Sequence, residues 1–271
     1  MLKKRVIFTL LHEDGHFFLS RNFRLQKVGN LRWLNSNYKF SQVALSIDEL
    51  VILDVSRNGK NHDKFSDVIR SLAENTFVPL AAGGGVRNIE HARQILKSGA
   101  DKVVINTMLF EEPNLVTEIA SQFGSQSIIA SVDCKYDADK GDFIIYVDNG
   151  RRPISKSFRQ ALEYLQSLPV GELYLNSIDR DGTGFGYDMR LLQHLPERFK
   201  CPLILAGGVG KGAHLAEGLN QSAVDAVATA HLFNFVGDGL RDARRCLLQD
   251  DFDLAVWDEG LIAKLEGYFK N

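Results

Sequence analysis

Two stretches of the chain repeat one another. AAGGGVRNIEHARQILKSGADKVVINT (81–107) and LAGGVGKGAHLAEGLNQSAVDAVATA (205–230) both run strand, glycine cluster, amphipathic segment, strand, and Gly85 is spaced from Asn106 as Gly208 is from Thr229. The match extends upstream. VILDV pairs with LNSIDRD, setting Asp54 against Asp179, and VIFTLL pairs with IIASVD, setting Leu11 against Asp133. A duplicated unit of this kind buries its apolar faces by closing against its own copy. Strand-like runs fall at 5–11, 49–55, 77–82, 102–106, 127–133, 172–178, 202–206 and 223–229, and segments such as NIEHARQILKSG between them carry apolar residues at helical spacing. This alternation predicts one (β/α)8 TIM barrel of the α/β class, built from half-barrels at about 1–123 and 124–250, with a C-terminal helix over 251–271 that Trp257 packs onto the barrel. A doubly wound open sheet is the competitor. The strand count and the 271-residue length, close to the ~250 residues typical of the fold, favour the barrel.

The glycine clusters end the third and seventh strands, where a barrel's functional loops begin. Glycines there either serve tight strand–loop turns or let backbone N–H groups approach an oxyanion beside a helix N-terminus. Two clusters at matching spacing favour the second reading, a phosphate cradle on each side of the barrel mouth. Asn106-Thr107 and Thr229-Ala230-His231 complete them. GGVGKG (207–212) is not a nucleotide-binding P-loop, because no glycine precedes it at the required offset and no Ser or Thr follows Lys211.

The stretch TLLHEDGHFF contains H-E-x-x-H, with His12 and His16 around Glu13. That signature holds zinc only on a helix, where both imidazoles share a face. Here it follows an apolar run and contains Asp14-Gly15, so strand, tight turn, strand is predicted, with the histidines near the turn. A second hairpin is predicted over 140–155, flanking the mouth, with Asp148-Asn149-Gly150 as its turn. Cys134, Cys201 and Cys246 are odd in number and widely separated, against both a disulfide framework and a metal site. A net charge of −2 argues against nucleic acid or a membrane surface as partner, and no apolar run approaches a membrane span. The expected compartment is the cytoplasm.

LAAGGGVRNIEHARQILKSGADKVVINT and SIDRDGTGFGYD resemble the cyclase subunit of imidazole glycerol phosphate synthase, and the resemblance covers nearly the whole chain. It implies a substrate with a phosphate at each end and a glutaminase docked under the barrel, whose ammonia rises through the core. It implies no cofactor and no metal. By position, one phosphate meets Gly85, Asn106 and Thr107. The other meets Asp181, Gly182, Gly208, Ala230 and His231, the last standing where the family has a serine. The family's floor of alternating charges, through which ammonia enters, matches Arg5, Glu49, Lys102 and Glu172, and Asp101 matches a glutaminase contact.

The cyclase mouth is where the chain departs from this pattern. The resemblance implies two aspartates there, a general acid and a general base, one per half-barrel. Asp133 supplies one, and Leu11 stands in place of the other. A lysine of the family's mobile first loop is replaced by Leu19, although that loop (21–39) still carries Arg21, Arg24, Lys27 and Arg32, suited to an anionic ligand, and Trp33, which could cover one. Leucine at the first position resembles a glycosyl-amidation branch of the family in surface-polysaccharide biosynthesis. That likeness implies a synthase- or lyase-type subunit of a glutamine amidotransferase complex. Such a subunit passes ammonia to a separate sugar amidotransferase and binds a phosphorylated small molecule at its mouth. The alternative is a genuine cyclase of histidine biosynthesis, using Asp133 with Asp54 or Asp181.

Overall fold

The computed structural model describes residues 3–38, 46–57, 59–197, 199–231, 238–256 and 260. β1 (Arg5–Glu13) leads into a hairpin, β2 (His16–Arg21) and β3 (Arg24–Asn30), then α1 (Leu31–Tyr38). The main path continues through β4 (Glu49–Asp54), α2 (His62–Asn75), β5 (Leu80–Gly83), α3 (Ile89–Lys97), β6 (Lys102–Ile105) and α4 (Pro113–Phe123). The second half holds β7 (Ile128–Asp137), the hairpin β8 (Asp142–Val147) and β9 (Arg152–Pro153), α5 (Phe158–Leu165), β10 (Glu172–Ser177), β11 (Leu203–Ala206), α6 (Gly212–Leu219), β12 (Ala226–Thr229) and α7 (Gly239–Gln249). β1, β4, β5, β6, β7, β10, β11 and β12 pair in that order, all parallel, and β12 pairs back onto β1. The eight-stranded barrel is therefore closed, and the open sheet is excluded.

Strand alternation sorts the side chains into two apolar layers. Ile7, Val51, Ala81, Val104, Ile129 and Ile204 fill the lumen with Tyr174 and several alanines. The residues between them, such as Phe8, Leu50, Ile52 and Leu205, face outward and pack under the helices. Asn61, Asn88 and Ser157 accept backbone N–H bonds at the starts of α2, α3 and α5, so these helices begin where the sequence supplies a capping side chain.

The register shows a finer repeat than the half-barrel. Asp48, just before β4, donates its N–H to Val6 and accepts the Val6 N–H on its carboxylate, both at 2.8 Å. Asp101 does the same with Leu80 before β6, and Asp225 with Leu203 before β12. Gly171 occupies the fourth equivalent place, before β10, with the backbone bond alone. Asp101, matched above to a partner contact, thus clamps the lower end of β5 while remaining exposed at the floor.

Several expectations need correction. β5 begins at Leu80 rather than 77: Phe77 is 53% exposed, and Pro79 has no N–H for the ladder. β12 begins at Ala226 rather than 223. The pairing of Asp54 with Asp179 is out of register. Leu11 stands opposite Leu53 and Asp133 opposite Asn176, so Asp54 corresponds to Ser177. The segment expected as a mobile loop is the β2–β3 hairpin followed by α1. Residues 251–256 carry no helix, while Trp257 and the remainder of the expected final helix, Gly260 apart, lie outside the described residues. Among the described residues no helix is long and apolar enough to cross a membrane.

Candidate functional site

The lower end of the lumen is closed by charge. Arg5, Glu49, Lys102 and Glu172 come from four different strands, and each begins its strand pointing inward. Arg5 donates to Glu49 at 3.0 Å and to both oxygens of Glu172 at 3.2 and 2.8 Å. Lys102 donates to both oxygens of Glu49 at 3.0 Å and to Glu172 at 2.7 Å. Every member touches both neighbours of opposite sign, which makes a closed four-residue ring. Its two carboxylates respond differently. Burial raises the Glu49 pKa, and the nearby cations only partly offset that; at the less buried Glu172, Arg5 and Lys102 outweigh the burial and lower it.

Above the ring the lumen is apolar up to one cross-lumen contact. Thr9 Oγ1 and the Tyr174 hydroxyl, on β1 and β10, lie 3.0 Å apart and are buried. Both also line the mouth cavity, so this pair forms the cavity's base. Burial holds the Tyr174 hydroxyl in its protonated form by raising its pKa.

At the mouth, Asp133 is held by two amides. Asn176 donates to one carboxylate oxygen at 2.9 Å and Asn106 to the other at 3.1 Å. Burial pushes the Asp133 pKa up to about 7; the Asn176 bond opposes this and the nearby Asp181 adds to it. A carboxyl group poised at neutral pH can both take and return a proton. The equivalent position across the barrel holds Leu11, 9% exposed, opposite Leu53. At this pair of equivalent positions one half-barrel presents a carboxyl and the other a hydrocarbon side chain.

Asn176 was missed in the sequence. Counting inward-facing residues up β10 from Glu172 reaches Tyr174 and then Asn176, but the out-of-register match with Asp54 obscured it. Asn106, expected on a phosphate, has its amide engaged by Ser131 at 3.0 Å and by Asp133. Thr107 accepts the Asp148 N–H at 3.2 Å, which fastens the β8–β9 turn beside it. That turn, Asp148-Asn149-Gly150, has positive φ throughout, and Asp148 and Asn149 line the cavity as the hairpin reading required.

The remaining predicted residues, Gly85, Asp181, Gly182, Gly208, Ala230 and His231, all line the same cavity. Asp181 accepts from the Ser20 hydroxyl and, at 3.0 Å, from the Phe23 N–H; burial raises its pKa. The His231 N–H donates to Thr229 Oγ1 at 3.3 Å, and burial lowers the His231 pKa.

The β2–β3 hairpin is clasped across the mouth. Asn22 donates its side-chain N–H to the Ile178 and Asp179 carbonyls, and its backbone N–H to Asp181. Leu19, Phe23 and Leu25 contribute apolar wall, whereas Arg21, Arg24, Lys27 and Arg32 are exposed and absent from the cavity lining. Trp33 belongs to α1 and packs against Gly29 and the core instead of covering the mouth. Among the described residues, the lysines and arginines that line the cavity come from elsewhere: Arg57, Lys60 and Arg87.

The opening histidines sit on a strand, a tight turn and a second strand. Asp14 and Gly15 have positive φ, the turn extends β1 to Glu13, and the register pairs Glu13 with His16. His12 is buried against Phe17 and Phe65 and accepts the Gly15 N–H at 2.9 Å; His16 bonds the Asp14 carbonyl. The helical face that H-E-x-x-H requires is not formed.

The profile of the histidine biosynthesis protein family matches residues 36–237. Over 258 residues, 95% of this chain and 95% of the relative, the sequence is 46% identical to a protein of Parasynechococcus marenigrum (strain WH8102) provisionally named imidazole glycerol phosphate synthase subunit hisF2.

Proposed function

The chain belongs to the histidine biosynthesis protein family, in its cyclase-subunit-like group, and on that premise we propose that it is an ammonia-conducting barrel of a glutamine amidotransferase complex. A glutaminase docks on the floor and ammonia enters through the ring of Arg5, Glu49, Lys102 and Glu172. It crosses the apolar lumen and leaves at the mouth for a sugar amidotransferase of surface-polysaccharide biosynthesis. A neutral, small molecule suits such a path, because apolar walls exclude ions and cannot trap ammonia by strong hydrogen bonds. The observation that carries the reading is the pairing of a complete ionic floor with a mouth that has hydrocarbon at Leu11. Loss of one acid–base group removes about 10²–10⁴ in rate from proton-transfer chemistry. Loss at the mouth leaves conduction from the floor untouched.

The test is co-purification with a candidate glutaminase subunit, followed by glutamine hydrolysis with and without the barrel. Stimulation together with negligible cyclase turnover supports the reading. Absence of stimulation, or full cyclase turnover by the unmodified chain, removes it.

One observation favours the runner-up, a true cyclase: Asp181 lies on the same cavity wall as Asp133 and is electrostatically coupled to it. On that reading Asp181 serves as the second carboxylate, and the chain rescues a histidine auxotroph lacking its own cyclase.

A further inference from the structure

Tyr174 is the largest side chain of the inner apolar layer, whose other members are isoleucines, valines, alanines and Leu53. It projects from β10, and its hydroxyl meets Thr9 on β1 at 3.0 Å, although β11 and β12 stand between those two strands in the barrel wall. The lumen residues of the intervening strands include Ala206, Ala226 and Ala228, which leave the ring room to cross. The lumen is therefore spanned at this level by one aromatic side chain. One inward step lower on β1 and β7 lie the hydrocarbon side chains of Ile7 and Ile129. On the other side is the mouth cavity, which Thr9 and Tyr174 both line. A ring that swings upward enters space that already exists.

The hydrogen bonding at this level is sparse. Among the described residues, each of the two hydroxyls has the other as its side-chain hydrogen-bond partner. Parting them leaves two buried polar groups unpaired, and that penalty holds the span closed. A passing molecule that both accepts and donates hydrogen bonds removes the penalty. Ammonia does so: its lone pair accepts from the phenol, the more acidic of the two hydroxyls, and its N–H groups donate to Thr9 Oγ1. The phenol proton is present to be donated, because burial, with nearby Asp133 adding to it, raises the Tyr174 pKa. A closed ring also keeps the water of the mouth out of the apolar lumen.

We propose that Tyr174 is a door between the lumen and the mouth, latched on Thr9 and released when ammonia takes the place of Thr9 as partner of its hydroxyl. The inference rests on the conducting reading above and deepens it by naming the residue that controls delivery. The ionic ring admits ammonia at the floor, and Tyr174 releases it at the mouth.

The test reads hydroxyl exchange in the full chain, with tyrosine isotopically labelled at the hydroxyl-bearing ring carbon. In mixed light and heavy water the NMR signal of that carbon splits when its hydroxyl exchanges slowly. Tyr174→Phe identifies the signal by its disappearance. Tyr187 is the internal control, buried in the outer layer with its hydroxyl donating to the Ala228 carbonyl at 3.1 Å. Ammonia at alkaline pH, against a non-amine buffer at the same pH, is expected to speed Tyr174 exchange about tenfold or more and to leave Tyr187 unchanged. Trimethylamine, a bulkier base of comparable strength, is expected to change neither. Thr9→Val keeps the side-chain shape and removes the latch, so Tyr174 exchange is expected to quicken about tenfold without ammonia, with Thr9→Ser restoring the parent rate. The proposal is overturned by a Tyr174 hydroxyl that exchanges as fast as an exposed one in the unmodified chain, or that ammonia leaves unchanged. Acceleration shared by Tyr187 or produced by trimethylamine overturns it too, as does a folded Thr9→Val with the parent rate. The unmodified chain decides the matter even where Thr9→Val does not fold. Glutaminase stimulation is read separately: stimulation by a chain whose Tyr174 ignores ammonia overturns the door alone, and a responsive Tyr174 without stimulation overturns the conducting reading alone.

Discussion

Leu11 and Asp133 occupy the same place in the two halves of one barrel: each faces inward near the top of its strand, directly across from the inward residue of the next strand, Leu53 for Leu11 and Asn176 for Asp133. The repeated backbone has kept its register while the chemistry of the two positions has diverged. On the proposed function, that divergence separates a barrel working at both sides of its mouth from one working at a single side.

Restoring the carboxyl is the direct probe. Leu11→Asp is expected to raise cyclase turnover on the bisphosphorylated ribulosyl substrate by about 10²-fold or more, since a positioned acid–base group contributes on that scale. The appearance of the imidazole product in a steady-state assay measures it. A variant indistinguishable from the parent would mean that more than this carboxyl separates the chain from a cyclase.

Asp133 makes stability depend on pH in a defined direction. Its folded pKa, pushed up to about 7, lies above its unfolded value, so the folded chain binds the proton more tightly. Stability from this group is full below about pH 4 and is lost as pH rises toward about 7, with an upper bound of about 4 kcal/mol. Asp133→Asn is therefore expected to gain stability relative to the parent as pH is raised from about 5 to about 8. Melting temperatures of the two proteins at matched pH show it. A difference that stays flat across that range would place the Asp133 pKa elsewhere.

The ring at the floor is coupled, so opening it at one point exposes the rest. Arg5→Met leaves Glu49 and Glu172 with Lys102 as their shared cation and is expected to cost about 2–3 kcal/mol, below the cost for a fully buried pair because the Arg5 side chain is 24% exposed. Urea denaturation reads the loss. If the chain conducts ammonia as proposed, the same variant is expected to uncouple glutamine hydrolysis from ammonia delivery in a complex reconstituted with a glutaminase.

Tyr174 and Thr9 bridge the lumen between that ring and the mouth. Tyr174→Phe removes the bridge and leaves the Thr9 hydroxyl without this partner, at an expected cost of about 1 kcal/mol. A denaturation midpoint within error of the parent would show that the hydroxyl pair contributes nothing to the closed lumen.

Much of this molecule was legible before folding was considered. The repeated strand–glycine–helix–strand unit specifies a closed barrel because strand and helix periods are local properties, and two copies of a half-barrel bury their apolar edges only against each other. Alternation within a strand also puts Arg5 and Leu11 on the inner face of β1, but the ring and the carboxyl expected where Leu11 stands were implied only by the resemblance to the family. Counting failed where register was needed: the match of Asp54 to Asp179 hid Asn176, since sequence similarity does not say which residue lies across the ladder. The loop charges were illegible for a further reason. Arg21, Arg24, Lys27 and Arg32 look like anion ligands in one dimension, yet Asn22 is tied by hydrogen bonds to Ile178, Asp179 and Asp181, far away in the chain, and those contacts hold the hairpin with its leucines inward and its cations out. The sequence by itself determined the barrel and its duplication, because these follow from short-range periodicity, while the residues of its floor were picked out by the resemblance to the family. Only the tertiary structure decided which cations reach the cavity, because that depends on hydrogen bonds between segments the chain order keeps apart.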